Sequence, residues 1–198
     1  MINTPPTPID VSNGMSLDDF MRLSNDHPFE IINGRRIDKM ASGQLHSEII
    51  QKIFILLYLY ITQFQLGRVY QETIFILPEK KEGNWVSGSR IPDIMFYESR
   101  RIEAYNQANT DNTKPIALIP DFIIEVLSPT DLFFDVEDKI FADFDNGVRV
   151  IWLIDPIHKR ASIYTADSTI IQRFHLTGHL TALDILPNFA LDLSQIWA

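Results

Sequence analysis

The chain has 198 residues, 17 Lys+Arg against 26 Asp+Glu, a formal charge of −9, and a hydrophobic content of 45%, ordinary for a globular protein. With no cysteine, it can form no disulfide, thiolate nucleophile, Fe–S cluster or Cys-ligated zinc site, so any metal must use oxygen or imidazole ligands. The acidic balance opposes non-specific adhesion to nucleic acid or anionic lipid, while leaving room for a local basic groove.

Met1 to Gly14 is polar and rich in Pro. It lacks the basic start and apolar stretch of a signal peptide, so the expectation is a flexible leader on a cytoplasmic protein. The longest run of aliphatic and aromatic residues, Ile53 to Ile61, falls short of the roughly 20 residues a membrane helix needs, so no membrane partner is expected. Residues 15–198 are expected to form a single domain.

Ser16-Leu17-Asp18-Asp19 approximates a capping box and opens a short helix to about Leu23. Phe29 to Ile32 and Arg35 to Met40 flank Asn33-Gly34, which favours a two-residue hairpin turn. From Leu45 to Gln65, apolar positions recur at spacings of three and four, predicting one long helix ended by Gly67. Leu56 and Leu59 widen its stripe, so the helix is either sandwiched between layers or exposes a flank for a homodimer contact through 45–65, with Tyr58 or Leu59 at its centre.

Strands are predicted over Arg68 to Leu77, Ile91 to Tyr97 and Asp121 to Leu127. Between the last two, Ser99 to Pro120 reads as a surface excursion with a short helix around Arg101 to Asn106. Leu132 to Asn146 has helical spacing and a stop at Asn146-Gly147, and Val148 to Ile154 follows as a strand. Arg160 to Tyr164 and Thr169 to Phe174 read as a hairpin around Ala166-Asp167-Ser168, and Leu186 to Trp197 tucks back onto the domain. The core order is helix, strand, strand, strand, helix, strand, with an N-terminal and a C-terminal β-hairpin added: an α/β layer domain.

Glu125 interrupts a strand that is apolar on both faces, where an ionised carboxylate requires a partner. Asp93, after Pro92, poses the same problem on what is read as the neighbouring strand. The pair could converge on one Mg²⁺ or Mn²⁺ ion, which prefers carboxylate oxygens; alternatively, each is an ordinary strand or strand-end residue. Arg35, Arg36, Arg90, Arg100 and Arg101 are candidates for phosphate contacts, or simply solvated. Phosphate-binding loops of the Gly-x-x-x-x-Gly-Lys or Gly-x-Gly-x-x-Gly type and the Gly-x-Ser-x-Gly elbow are absent, as are zinc fingers and a helix-turn-helix.

Pro92-Asp93, Pro120-Asp121-Phe122-Ile123-Ile124-Glu125-Val126-Leu127-Ser128-Pro129, Lys139, and Gly147 to Pro156 together resemble the Uma-type restriction endonuclease family of the PD-(D/E)XK nuclease superfamily. The likeness runs from about Ser16 to Trp197. It implies a restriction-endonuclease-like core, with DNA as substrate and Mg²⁺ or Mn²⁺ held by Asp93 and Glu125. The superfamily's lysine two positions after the acid is Leu127 here; the resemblance implies that Lys139 stands in, the bland alternative being a solvated helix lysine. Glu30 and His46 match further positions that supply a metal ligand or general base, or else serve as a hairpin residue and a helix N-terminal residue. Glu72 is a weaker candidate, and Ser128 reads as the cap of the following helix. The opposing function is a non-catalytic, nuclease-like scaffold that binds nucleic acid or a protein partner.

Overall fold

The computed structural model describes residues 9–10, 13–40, 43–129, 131–167 and 171–197. Packing divides the chain into two compact units, one formed by 1–41, 74–91 and 113–118, the other by 42–73, 92–112 and 119–198.

In the first unit, helix α1 (Leu17–Asp26) begins at Ser16, whose hydroxyl accepts from the Asp19 N–H at 3.1 Å, as the capping motif predicts. Hydrogen bonds from Ser16 and Arg22 hold the Asp19 carboxyl below its ordinary range. A depressed pKa means a contribution that is present at neutral pH and lost as pH falls through the lowered value. Ser16→Ala is expected to cost about 1 kcal/mol in chemical denaturation, and to move the Asp19 titration upward when followed by NMR.

Strands Phe29–Ile32 and Arg35–Asp38 pair antiparallel around Asn33 and Gly34, both at positive φ (49° and 75°), so the predicted hairpin is present. Ile9–Asp10, inside the expected flexible leader, pairs with Arg35–Arg36; the leader's residues 1–8 and 11–12 lie outside the described residues. The predicted strand Arg68 to Leu77 breaks at Glu72, which takes φ 45°. Its second part, Phe75–Ile76, belongs to this first unit, where Ile116 bridges to Phe75. Part of the 99–120 excursion is thus built into a sheet.

The second unit is a six-stranded sheet: β1 (Gly67–Gln71), β2 (Ile94–Glu98), β3 (Phe122–Val126), β4 (Val150–Asp155), β5 (Arg160–Thr165) and β6 (Gln172–His175). The spatial order is β6-β5-β4-β3-β2-β1, and only β3 and β4 run parallel. Parallel neighbours need a crossover, supplied by helix α4 (Phe133–Asp145). Gly147, at φ 103°, releases the chain from that helix as predicted. Of the predicted C-terminal hairpin, 168–170 lie outside the described residues; the pairing itself is set by registers such as Ser162 with Arg173.

Helix α2 (Gln44–Phe64) packs Ile49, Ile50, Ile53, Leu57 and Ile61 against one face of the sheet, meeting Ile94, Phe96, Phe122, Ile124 and Trp152. By length and composition α2 is apolar enough to cross a bilayer, yet this face is a core face. Its opposite flank exposes Ile55, Tyr58 and Leu59. Gly67 does not stop the helix. Gln65 does, in the left-handed region at φ 54°, with its N–H returning to Ile61 and Thr62. Gly67 instead starts β1, where a Cβ would collide with the Tyr97 carbonyl. Helix α3 (Ser99–Ala108) follows β2, and Leu186 to Trp197, ending in helix α5 (Ser194–Trp197), packs back onto the core as predicted, joined there by Leu180, Ala182 and Ile185.

Candidate active site

Because side chains alternate across a strand, the core residues Phe122, Ile124 and Val126 face α2 and their neighbour Glu125 faces the other way. Antiparallel pairing of Ile94 with Ile124 sets Asp93 across from Glu125, one step along the same register. Glu125 therefore lies on the face opposite α2, while Asp93, in the bend just before β2, sits at the end of the sheet within reach of the start of α2.

Asp93 is 2% exposed, and its Oδ2 accepts from the Val126 N–H at 2.7 Å. This bond ties the acid to the neighbouring strand, while its own carbonyl accepts from Glu72 N–H at 3.1 Å. His46, in the first turn of α2, places Nε2 3.4 Å from the same Oδ2. Glu125 is met from above by α4: Lys139 Nζ lies 2.9 Å from Oε1, with both side chains largely buried. A largely desolvated ammonium is thus set against a largely desolvated carboxylate. Leu127, at the superfamily's lysine position, is half-buried.

His46, Asp93, Glu125 and Lys139 are all brought together in the second unit. Glu30 belongs to the first, where it is 4% exposed and accepts from the Ile91 N–H at 2.7 Å. It is a buried hairpin residue, not a solvent-facing one. Glu30→Ala would leave that N–H without this acceptor. We expect a loss of about 1–3 kcal/mol in chemical denaturation, the cost of orphaning a buried donor.

Other expectations are corrected. Ser128 does not cap α4: Leu132 occupies the cap position with no side-chain cap bond, and the Ser128 N–H donates to Asp131. Glu72 is an exposed residue at positive φ following β1. Three of the five candidate arginines are engaged structurally. Arg90 is buried and donates to the Ile31 carbonyl, Arg36 pairs with Asp38 and covers the Phe29 ring, and Arg101 binds Asp121 at 2.6 Å. Asp121, read only as part of a strand, anchors a network with Arg101, Arg149 and the Glu98 N–H that fixes α3 to the sheet. Arg149 is held above its usual value: burial opposes its charge, and Glu98, Asp184 and Asp121 outweigh it.

The sequence reading also missed Asp155, which lies on the same face as Glu125 because Glu125 registers with Leu153. Its Oδ2 sits 2.8 Å from His158 Nδ1 in the turn that follows. Strand parity was the available signal, and it required the β3–β4 register.

Among the described residues, no group of three or more His, Cys, Asp or Glu forms a metal cage. That matters less for Mg²⁺ than for zinc, since Mg²⁺ is commonly bound by one or two carboxylates and keeps several waters. Asp93 and Glu125, an all-oxygen pair set across from each other by the β2–β3 register, fit such a site.

The helix, three strands, helix and fourth strand, with α2 and α4 on opposite faces of the sheet, define a restriction-endonuclease-like α/β fold. The Uma2 family model, described as "Putative restriction endonuclease", matches residues 17–194, so the chain belongs to that family. Among solved structures, it is similar to a crystal structure described as a putative nuclease belonging to DUF820 from Anabaena variabilis. The TM-score is 0.73 and the identity 22%, with 92% of this chain and 97% of that chain covered, a likeness that shows the fold. A search of curated proteins finds no match.

Proposed function

We infer that the protein is a metal-dependent endonuclease that hydrolyses DNA phosphodiester bonds with Mg²⁺ or Mn²⁺ at Asp93 and Glu125. The observation that supports this most is the β2–β3 register, which sets buried Asp93, in the bend before β2, across from half-buried Glu125 of β3. When bound, the ion would supply Lewis acidity at the phosphate and a better water nucleophile. Asp93, fixed by Val126, and Glu125, steadied by Lys139, present the oxygen ligands. Lys139, 2.9 Å from Glu125, would place its ammonium where it offsets charge developing on the phosphate. His46, beside Asp93, is placed to accept or relay a proton.

One observation favours the competing scaffold reading: Lys139 already neutralises Glu125 without any metal, and Leu127 replaces the usual lysine. The two readings separate in one experiment, in which purified protein is incubated with linear and supercoiled DNA in Mg²⁺ or Mn²⁺ and its melting temperature is recorded with and without the ion. Metal-dependent nicking together with a raised Tm is expected. Inactivity combined with an unchanged Tm would transfer the assignment to a non-cutting scaffold.

A further inference from the structure

The face that carries Glu125 extends across the sheet to the β5–β6 edge, where Arg160 and Arg173 stand. Strand registers run Glu125–Leu153–Ser162–Arg173 in one row and Asp155–Arg160–His175 in the next, all with side chains on the same side of the sheet. Along the first row the residues pass from half-buried at Glu125, Leu153 and Ser162 to exposed at Arg173; Arg160 and His175 are exposed as well. The turn before β5 adds Lys159 and His158, also exposed.

The cations of the chain fall into paired and unpaired groups. Arg22, Arg36, Arg101, Arg149 and Lys139 are each paired with a carboxylate. Among the described residues, Lys159, Arg160 and Arg173 have no carboxylate partner, and Arg173 instead hydrogen-bonds the Tyr164 hydroxyl on the same face. Exposed cations without a carboxylate partner make a local attractive patch for a polyanion against the net charge of −9. Strands lie about 4.8 Å apart, so Arg173 stands three steps, about 14 Å, from Glu125. That is about four nucleotides of B-form rise at 3.4 Å each.

We propose that the β5–β6 hairpin, through Arg160, Arg173 and the Lys159 turn, is the track that holds the DNA phosphate backbone flanking the bond cut at Asp93 and Glu125. The proposal rests on the nuclease reading and adds the surface that orients its substrate. The occupant is a nucleic-acid backbone because exposed Lys159, Arg160 and Arg173 gather at the edge of the sheet face that carries Glu125, where their charge complements phosphates. These arginines position the substrate and touch no reacting atom.

The test compares wild type with the Arg160→Ala/Arg173→Ala double variant and its Arg→Lys counterpart. Anisotropy of a labelled 20-base-pair duplex in EDTA reads binding from 50 to 200 mM salt, and Mg²⁺-dependent cleavage gives kcat and KM. The Ala variant should bind about tenfold more weakly, with a salt slope shallower by about 1.8, two phosphate contacts at 0.9 each. Its KM should rise while kcat stays within about twofold, and the Lys variant should recover most of the salt slope. Wild-type binding and cleavage with an unaltered slope and KM in the Ala variant would overturn the track and leave the nuclease reading standing. Arginine-dependent binding without cleavage under any metal would retain the track and refute the nuclease. A wild type that binds no duplex refutes the track.

Discussion

Asp93→Asn and Glu125→Gln should each reduce metal-dependent DNA cleavage by about 10³-fold or more. Charge stabilisation by a bound ion is worth several kcal/mol, and about 1.4 kcal/mol corresponds to a factor of ten. Amides are preferable to alanine because Asp93→Asn keeps a carbonyl oxygen for the Val126 N–H, a 2.7 Å bond whose loss would orphan a buried donor. The Asp93→Asn variant should therefore melt close to wild type in EDTA and lose the upward shift in Tm on adding Mg²⁺. Gel-based nicking assays and differential scanning fluorimetry report the two effects separately. Retained cleavage in either amide variant would show that the register of two acids does not build the site.

Lys139→Met is expected to have the largest effect on stability. It leaves Glu125 in the layer beneath α4 without the ammonium 2.9 Å away, and breaking a buried pair costs about 3–5 kcal/mol. Both side chains retain some exposure, so the lower end applies: about 3 kcal/mol, or roughly 6–12 °C in Tm for a chain of this size. Mg²⁺ should stabilise this variant more than wild type, because the ion takes over the neutralisation that Lys139 performed. Lys139→Met combined with Glu125→Leu should melt near or above wild type, since a well-packed apolar pair replaces a desolvated ionic one. Equal melting of Lys139→Met and wild type in EDTA would show that the ion pair is solvated.

How much of this was legible in the sequence depended on the range of the interactions involved. The Asn33-Gly34 hairpin, the periodicity of α2, the Ser16 cap and the Gly147 stop are local, and each was readable from a window of a few residues. The order of core elements was readable for the same reason. The first unit's short strands, such as Phe75–Ile76 with Ser89–Arg90, arise from pairing between distant segments that leaves almost no local pattern. The stop of α2 was misplaced because Gly67 is an obvious punctuator, whereas Gln65 adopts the left-handed cap without looking like one.

The candidate site divides along the same line. Glu125 stood out because a charge inside an apolar strand is locally anomalous, and Asp93 followed it by pattern. That Lys139 reaches Glu125, that His46 approaches Asp93, and that Asp155 joins the same face all require the tertiary register. Arginines misled for the opposite reason: their local context cannot distinguish a solvated cation from Arg90, buried and donating to Ile31, or Arg101, spent on Asp121.

The packing of α2 also bears on synthesis. Tyr60 donates to the Pro187 carbonyl, 127 residues further along the chain, and the segment from Leu180 to Ile196 covers the helix's core side. At about 5–20 residues per second, the ribosome needs on the order of ten seconds to produce that cover after α2 has been made. During that interval the nascent chain displays an apolar helix without its lid, and chaperone capture should be stronger for chains stalled before codon 180 than for the released chain.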